Sequence, residues 1–206
     1  IDKLTLDPKN EVTIDTHAVG AGTDVDPLLI VDWGKRESFV QGTAWTQAQG
    51  LNAILWTAPV TPVVAQEDIG TYRSTLAHTP AGYISRLFSK WRGAVTYKFR
   101  FVKSKYHTGR VLISWDPCGT PSLDSETTTY TRLVDLQMED EVSVTIPYKA
   151  SATWSSTRFE SNNYSDTTTP SITYDPDAHN GVIQMRVQNT LTGPAANASL
   201  DILVFT

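Results

Sequence analysis

Residues 93–117 contain the strongest structural signal in this sequence, because apolar and polar side chains alternate along two long stretches. The apolar positions are Val95, Tyr97, Phe99 and Phe101 in the first stretch and Val111, Ile113 and Trp115 in the second. A period of two is the pattern of a β-strand with one buried face. Both stretches are long for strands of a globular domain. We therefore predict a broad sheet built around this pair of strands, which a short basic turn joins.

Residues 79–93 are predicted to form a helix that lies against the sheet. Thr79 can cap its first turn, Pro80 suits the first helical position, and Gly93 can end it. The apolar residues at helical spacing are Tyr83, Ile84, Leu87, Phe88 and Trp91. We expect this stripe to be buried against the sheet.

The remaining chain has the rhythm of short strands without helical crossovers, which predicts an all-β antiparallel sandwich. The predicted strands are 31–46, 51–60, 132–137, 142–146, 183–187 and 200–204. Loops are expected at 61–78, 118–129 and 151–180, and residues 1–30 are expected to form an extended, acidic arm. At 206 residues the chain fits a single sandwich domain, residues 31–206, that follows this arm.

Composition argues against several classes of protein. The formal net charge of −5 disfavours a protein whose main task is to grip nucleic acid. The single cysteine, Cys118, permits no disulfide within the chain, which is typical of synthesis in the cytosol. No apolar run is long enough for a membrane span, and the first residues lack the apolar stretch of a signal peptide.

No catalytic motif is recognisable. The four histidines, His17, His78, His107 and His179, are scattered, and none has a partner at metal-ligand spacing. The nucleophile elbow, the zinc-protease motif and the phosphate-binding loop are all missing from the sequence. Folding could still bring a Ser-His-Asp triad together from distant positions, but no feature of the sequence indicates one. We expect no enzyme activity, no cofactor and no metal site.

A basic run beside the turn could contact phosphates, with Tyr97 and Tyr106 available to stack on bases. It consists of Lys98, Arg100, Lys103, Lys105, His107 and Arg110. The alternative is a solvated strand face, where lysine also discourages aggregation. His107 itself could act as a proton switch or could simply cap the turn.

Two acidic groups and the tryptophans allow further alternatives. Glu139-Asp140-Glu141 and Asp175-Pro-Asp177 could bind calcium between subunits, or could be solvated acidic turns. Six tryptophans in an acidic β-domain could stack on sugars. Because most of them fall on apolar stripes or in strand-like runs, we favour positions in the core or in an interface.

The segment 80–117 resembles the middle of the picornavirus-like capsid proteins of the dicistrovirus, iflavirus and marnavirus type. The similarity rests on an aromatic helix that ends in Trp91-Arg-Gly93, a strand like 97–101, and the run 107–117 that begins His-Thr-Gly-Arg. Weaker similarity at 143–150 and 181–189 extends it toward the C-terminus. In this family the helix precedes the first strand of that pair, within an eight-stranded jelly roll whose N-terminal arms run under neighbouring subunits.

The resemblance implies a structural capsid subunit that performs no reaction. Related jelly rolls from one polyprotein would assemble with it into an icosahedral virion shell around single-stranded RNA, which lies at the inner surface, after synthesis in the host cytoplasm. The loops 118–130 and 151–180 would be exposed or interfacial. The rival hypotheses are a carbohydrate-binding β-sandwich module and a hydrolase on the same scaffold.

One shell protein of the invertebrate viruses in this family carries an Asp-Asp-Phe motif linked to autocatalytic cleavage of a small capsid precursor. This sequence has no such motif. The most similar stretch, Asp175-Pro-Asp177, separates the carboxylates by a rigid proline and lacks a following aromatic residue. We therefore expect a shell subunit that does not cleave.

Overall fold

The structure, a computed structural model, describes residues 30–63, 65–69, 74–117, 130–157, 177–195 and 197–206, with the backbone alone at 65–69 and 74–77. Two short helices are present in these ranges, α1 (Ile30–Gly34) and α2 (Pro80–Ser85). The strands are β1 (Phe39–Thr46), β2 (Ile54–Pro59), β3 (Ala65–Ile69), β4 (Ser74–His78), β5 (Lys90–Trp91), β6 (Val95–Val102), β7 (Thr108–Asp116), β8 (Tyr130–Asp135), β9 (Glu141–Ile146), β10 (Ser155–Ser156), β11 (Val182–Thr192) and β12 (Ser199–Phe205).

Eight of these strands form two four-stranded antiparallel sheets, which confirms the predicted all-β sandwich. The strand order is β1-β12-β6-β9 in the first sheet and β2-β11-β7-β8 in the second. The pairs are nested, because the first of the eight strands pairs with the last, the second with the seventh, the third with the sixth, and the fourth with the fifth. This nested pairing is that of a jelly roll.

The two central strands were correctly predicted, but the prediction that they form one pair is wrong. β6 is bordered by β12 and β9, whereas β7 is bordered by β11 and β8, so neither has an edge available to the other. The turn between them crosses from one sheet to the other. Their apolar faces therefore meet the interior from opposite sides, which is why both strands alternate so regularly.

The core lies between the two sheets and is rich in aromatic side chains. Trp56 of β2 packs edge-on against Tyr97 and Phe99 of β6, with ring centroids 5.7 and 5.5 Å apart. All three rings are fully buried. The Trp56 indole N–H donates to the side-chain oxygen of Gln41 at 3.2 Å, so its polar atom is satisfied.

The helix prediction is correct at its start and wrong at its end. α2 stops at Ser85, and the backbone N–H groups of Leu87 and Phe88 make the tighter i→i−3 contacts of turns. Trp91 then pairs as part of β5 with β10, and its indole N–H donates to the carbonyl oxygen of Ala178 at 3.2 Å. Because this pairing requires extended backbone, the helix cannot continue to Gly93.

The expected burial of the helical stripe is also wrong for most of its members. Tyr83, Leu87 and Phe88 are 58%, 64% and 53% exposed, and Ile84 is half-buried. Trp91 alone is buried, at 8% exposure, where its ring packs edge-on against Tyr148.

Several other predicted strand and loop boundaries differ from those in the structure. The strand predicted at 31–46 begins only at Phe39, because Ile30–Gly34 is helical. The loop predicted at 61–78 contains the antiparallel pair β3 and β4. The strands predicted at 51–60, 132–137, 142–146, 183–187 and 200–204 correspond to β2, β8, β9, β11 and β12. Residues 1–29 and 118–129 lie outside the described residues, as do 158–176 within the predicted loop 151–180.

Candidate assembly surface and charge clusters

The start of α2 is fixed by local hydrogen bonds that its sequence provides. The Thr79 hydroxyl accepts from the backbone N–H of Gly82 at 3.0 Å, and Pro80 occupies the first turn, where no N–H is needed. The Ser85 hydroxyl donates to the Gly82 carbonyl oxygen at 2.8 Å. These contacts hold α2 in place, and α1 lies against it, with Gly34 next to Ile84.

The two helices and the turn that follows α2 present an exposed apolar surface, which we call the α1–α2 patch. It consists of Ile30, Val31, Trp33, Tyr83, Leu87 and Phe88. Their exposed fractions range from 38% at Trp33 to 64% at Leu87. Partly exposed side chains of this size contribute on the order of 100 Å² each, so the patch covers roughly 600 Å². An apolar patch of this size is typical of an interaction site.

Several cations lie close in sequence to the residues of the α1–α2 patch. Lys35 and Arg36 follow α1, and Arg86, Lys90 and Arg92 follow α2. The guanidinium group of Arg36 lies 5.4 Å from the centre of the Trp33 ring. Asp32 is the one carboxylate in the segments 30–36 and 83–92. The sequence prediction missed this surface, although five cations beside an apolar stripe in an acidic chain were a signal for it.

The tryptophans divide between the core and the surface. Trp45, Trp56, Trp91 and Trp115 are buried, as we expected for most of them. Trp33 and Trp154 are 38% and 53% exposed.

Carboxylates pair with most of the basic run. Lys98 lies 2.7 Å from Glu37 and 3.1 Å from Glu141. The Arg100 guanidinium lies 2.8 Å from the carboxylate of Glu141. Further along the run, Lys103 contacts Asp140, and Arg110 lies 2.9 Å from Asp135. These ion pairs support a solvated strand face over a phosphate-binding surface.

The contacts around these ion pairs shift the pKa values of Glu141, Lys98 and Asp135. Arg100, followed by Lys98, lowers the pKa of Glu141. Glu37, followed by Glu141, raises the pKa of Lys98. The backbone N–H of Gln137, followed by Arg110, lowers the pKa of Asp135. In each case these contacts stabilise the charged form of the side chain.

Tyr97 cannot stack on a base, because its ring is fully buried. Its hydroxyl donates to the carbonyl oxygen of Pro59 at 3.2 Å. Burial raises the pKa of Tyr97, and a hydrogen bond from the backbone N–H of Thr61 to its hydroxyl oxygen opposes that shift in part. Tyr106 is 76% exposed, so of the two proposed stacking residues it alone is accessible.

The acidic turn 139–141 pairs with protein cations. Glu139 lies 3.3 Å from Arg132, while Asp140 and Glu141 contact the cations of the first sheet already described. Among the described residues no group of three or more His, Cys, Asp or Glu side chains could hold a metal ion. Asp177 is exposed, and Asp175 lies outside the described residues.

The histidines of the described chain occupy separate environments. His78 contacts Arg86, with Nε2 2.7 Å from Nη1, and His179 is buried. The Nδ1 atom of His107 accepts from the backbone N–H of Ser104 at 3.1 Å, which agrees with its expected role as a turn cap. His17 lies outside the described residues.

A cavity of about 210 Å³ opens where the edge strands β8 and β9 of the two sheets approach each other. Trp115 and Tyr130 stack beside it, with ring centroids 5.1 Å apart. The Arg132 guanidinium donates to the carbonyl oxygen of Ser143 at 3.0 Å and so bridges the two sheets near this cavity.

Neither of the two described helices is long and apolar enough to cross a membrane.

Comparison with known proteins gives a consistent result. The family model described as Rhv, picornavirus capsid protein, matches residues 10–175. The structural polyprotein of Cricket paralysis virus is 32% identical over 160 residues, which are 74% of this chain and 17% of the polyprotein. The genome polyprotein of Deformed wing virus is 27% identical over 146 residues, which are 67% of this chain and 5% of that polyprotein. The chain therefore spans a small part of these relatives.

Solved structures agree on the fold. A chain of a marine algae virus of the order Picornavirales superposes with a TM-score of 0.79 at 23% identity, over 100% of this chain and 80% of that chain. A chain of the Triatoma virus empty capsid gives a TM-score of 0.77 at 24% identity, over 98% and 79% of the respective chains.

The nested strand order and the solved structures define the fold as a jelly roll. The family model and the match to the Cricket paralysis virus polyprotein define the class, which is that of viral capsid proteins. The chain belongs to the picornavirus capsid protein family. This membership confirms the resemblance stated from the sequence and a structural role rather than an enzymatic one. The matches give no support to the alternative of a carbohydrate-binding module.

Proposed function

We propose that this chain is one subunit of an icosahedral virion shell, which assembles with related jelly-roll subunits of the same polyprotein and encloses single-stranded RNA. The match of the capsid family model over residues 10–175 carries this proposal. The α1–α2 patch supports it, because a contiguous exposed apolar surface of this size often marks a site of contact with another protein.

The test is expression of the complete structural polyprotein with its processing protease in insect cells. We expect this chain to sediment with the other subunits in megadalton particles that electron microscopy shows as closed shells, and to accumulate in the cytoplasmic fraction before assembly. A stable monomer or small oligomer that binds glycans saturably would instead support the sandwich-module alternative. The same polyprotein without protease provides the unassembled control.

Within this function, residues 1–30 are proposed to form an arm that becomes ordered only against another subunit, and residues 31–206 to form the jelly-roll domain. Fixing an extended segment costs about 1–2 kcal/mol per residue, which burial in the assembly must offset. Limited proteolysis should therefore cleave the arm quickly in dissociated protein and slowly in particles. Equal protection in both states would contradict the arm proposal.

We propose that the basic residues of the run 98–110 do not form an RNA-binding surface, although the shell encloses RNA. The carboxylates described above neutralise Lys98, Arg100, Lys103 and Arg110. Charge-neutral variants of this run, such as Arg100→Gln with Glu141→Gln, should package the same amount of RNA per particle as the wild type. A large loss of packaged RNA from intact particles would contradict this.

The subunit is also proposed not to cleave the capsid precursor, since its sequence lacks the Asp-Asp-Phe motif. Changing Asp175→Asn and Asp177→Asn together in an infectious clone should leave precursor processing in purified particles unchanged. Intact particles that retain uncleaved precursor would show that these aspartates perform the cleavage. The double change Asp124→Asn with Glu126→Gln, which neutralises a similarly spaced acidic pair outside segment 1–29, is the matched control.

A further inference from the structure

Resting on the proposed assembly function, we propose that the α1–α2 patch is the docking site for the acidic segment 1–29 in the assembled shell. The patch supplies the first requirement of a docking site, which is exposed apolar area. Ile30, Val31 and Leu87 are each more than half exposed, and three aromatic rings lie among them. Roughly 600 Å² of apolar surface approaches the area that one partner buries in a standard protein interface.

The charge around the α1–α2 patch selects an acidic occupant. Five cations lie beside its residues in the sequence, against the single carboxylate of Asp32, and Arg36 lies over the Trp33 ring. A second copy of the same patch would bring these cations together, and like charges across an interface disfavour association. Trp33, Tyr83 and Phe88 could stack on bases, but aliphatic side chains make up the other half of the patch and give RNA nothing to stack on or hydrogen-bond to, so the patch favours a protein segment.

Segment 1–29 has the matching composition. It contains six carboxylates and two lysines, although the chain as a whole is only moderately acidic. Its apolar residues include the pairs Leu4 and Leu6, and Val12 and Ile14, each next to a carboxylate. In an extended conformation the members of each pair lie on one face. An extended stretch of roughly eight residues would cross a patch about 25 Å wide, so the segment is long enough.

Site-specific cross-linking tests this docking. Phe88 is replaced by photoreactive p-benzoylphenylalanine in particles, and the cross-linked peptides are identified by mass spectrometry. Tyr106 is the matched control position, because it is an exposed aromatic residue beside a lysine but lies outside the patch. Mixed heavy and light isotope labelling of the copies reports whether the docked segment comes from the same copy or a neighbouring one.

We expect peptides from residues 1–29 to cross-link to position 88 and not to position 106. The proposal is supported whether the cross-linked peptide comes from the same copy of the chain or from a neighbouring copy. Lys35→Glu combined with Lys90→Glu should lower the cross-linking yield roughly fivefold, as should high salt, because the flanking charges steer the acidic segment. Lys105→Glu should leave the yield unchanged. Melting temperatures of the variants check that the subunit remains folded.

Cross-links from position 88 to RNA, to the same patch of another copy or to a different shell subunit would overturn the docking proposal. Tyr83, on the same patch, serves as a second probe position if the change at Phe88 prevents assembly. Assembly of the wild type distinguishes failure of the proposed function from failure of the docking proposal. If the wild type forms no particles, the proposed function fails, whereas particles with cross-links outside 1–29 refute only the docking.

Discussion

The interior of the sandwich and the α1–α2 patch are built from the same kinds of side chain and use them in opposite ways. Trp56, Tyr97 and Phe99 are fully buried between the sheets. Trp33 and Tyr83 lie on two short helices, Phe88 lies in the turn after α2, and all three are partly exposed to water. The difference comes from what covers each face, because two four-stranded sheets close on each other, whereas no described element closes over the helices.

Phe88 and Trp91, which are three positions apart in the sequence, show the same contrast between an exposed and a buried aromatic ring. Phe88 is 53% exposed in a turn, while Trp91 is 8% exposed in a strand that pairs with β10. Periodicity can place both residues on one predicted stripe, but it cannot report which of them another element will cover. Removing a buried ring should therefore destabilise the fold, and removing an exposed one should affect only contacts between subunits.

The largest expected effect is that of Trp56→Ala, in the middle of the core. The change removes a fully buried indole that contacts two aromatic rings, which typically costs about 3–5 kcal/mol. This is a large share of a domain's stability, so we expect little folded subunit and no particles. Urea denaturation followed by tryptophan fluorescence or circular dichroism measures the loss. A melting temperature close to that of the wild type would refute the assigned core.

A matched pair of changes, Trp91→Ala and Phe88→Ala, sharpens the comparison further. Trp91→Ala removes a buried ring and its hydrogen bond to Ala178, so we expect a loss of about 3 kcal/mol. Phe88→Ala should cost less than about 1 kcal/mol, since most of that ring is already in water. Thermal melts of dissociated subunits measure both. Equal destabilisation by the two changes would show that the helical stripe is buried after all.

The sequence was sufficient to predict the class of the fold and most of its strands, because alternation along β6, β7, β9 and β12 reports directly which side chains share a face. It could not predict which strands pair, since β6 and β7 alternate equally well as neighbours or as members of opposite sheets. The end of α2 was missed because the pairing of Lys90–Trp91 with Ser155–Ser156 involves residues far apart in the chain. The α1–α2 patch was missed because apolar spacing alone does not show which side chains another element covers, and the signal from the neighbouring cations was not used.

A smaller effect is expected from Tyr97→Phe, which keeps the buried ring and removes its hydroxyl. The carbonyl oxygen of Pro59 loses a donor, for a cost of about 1 kcal/mol. Burial raises the pKa of Tyr97 above its ordinary value of 10.0, so this group stabilises the fold below pH 10. That stability is lost above pH 10, where the unfolded chain ionises first. The Phe variant should lose less stability between pH 9 and 11 than the wild type, as measured by urea denaturation. Tyr106→Phe, which removes an exposed hydroxyl, is the control.

The smallest expected effect concerns the outer face of the first sheet, where ion pairs take the place of apolar contacts. Glu141→Gln keeps the shape of the side chain but removes the charge that Arg100 and Lys98 share. The pKa of Glu141 is lowered by these cations, so their stabilisation is present above its ordinary pKa of 4.5 and is lost as the pH falls through the lower folded value. Because the pair is solvent-exposed, we expect only a small fall in melting temperature at pH 7 and low salt.

The difference between the wild type and Glu141→Gln should disappear at pH 2 and in 1 M salt, where the charge is neutralised or screened. Asp32→Asn, which removes a carboxylate 3.9 Å from Lys35, is the control for a weak exposed pair. A difference that persists in 1 M salt at pH 7 would mean that Glu141 stabilises the strand pair through packing or hydrogen bonds. The outer face would then depend on the same short-range contacts as the core, and the contrast between the two faces of β6 would no longer rest on charge.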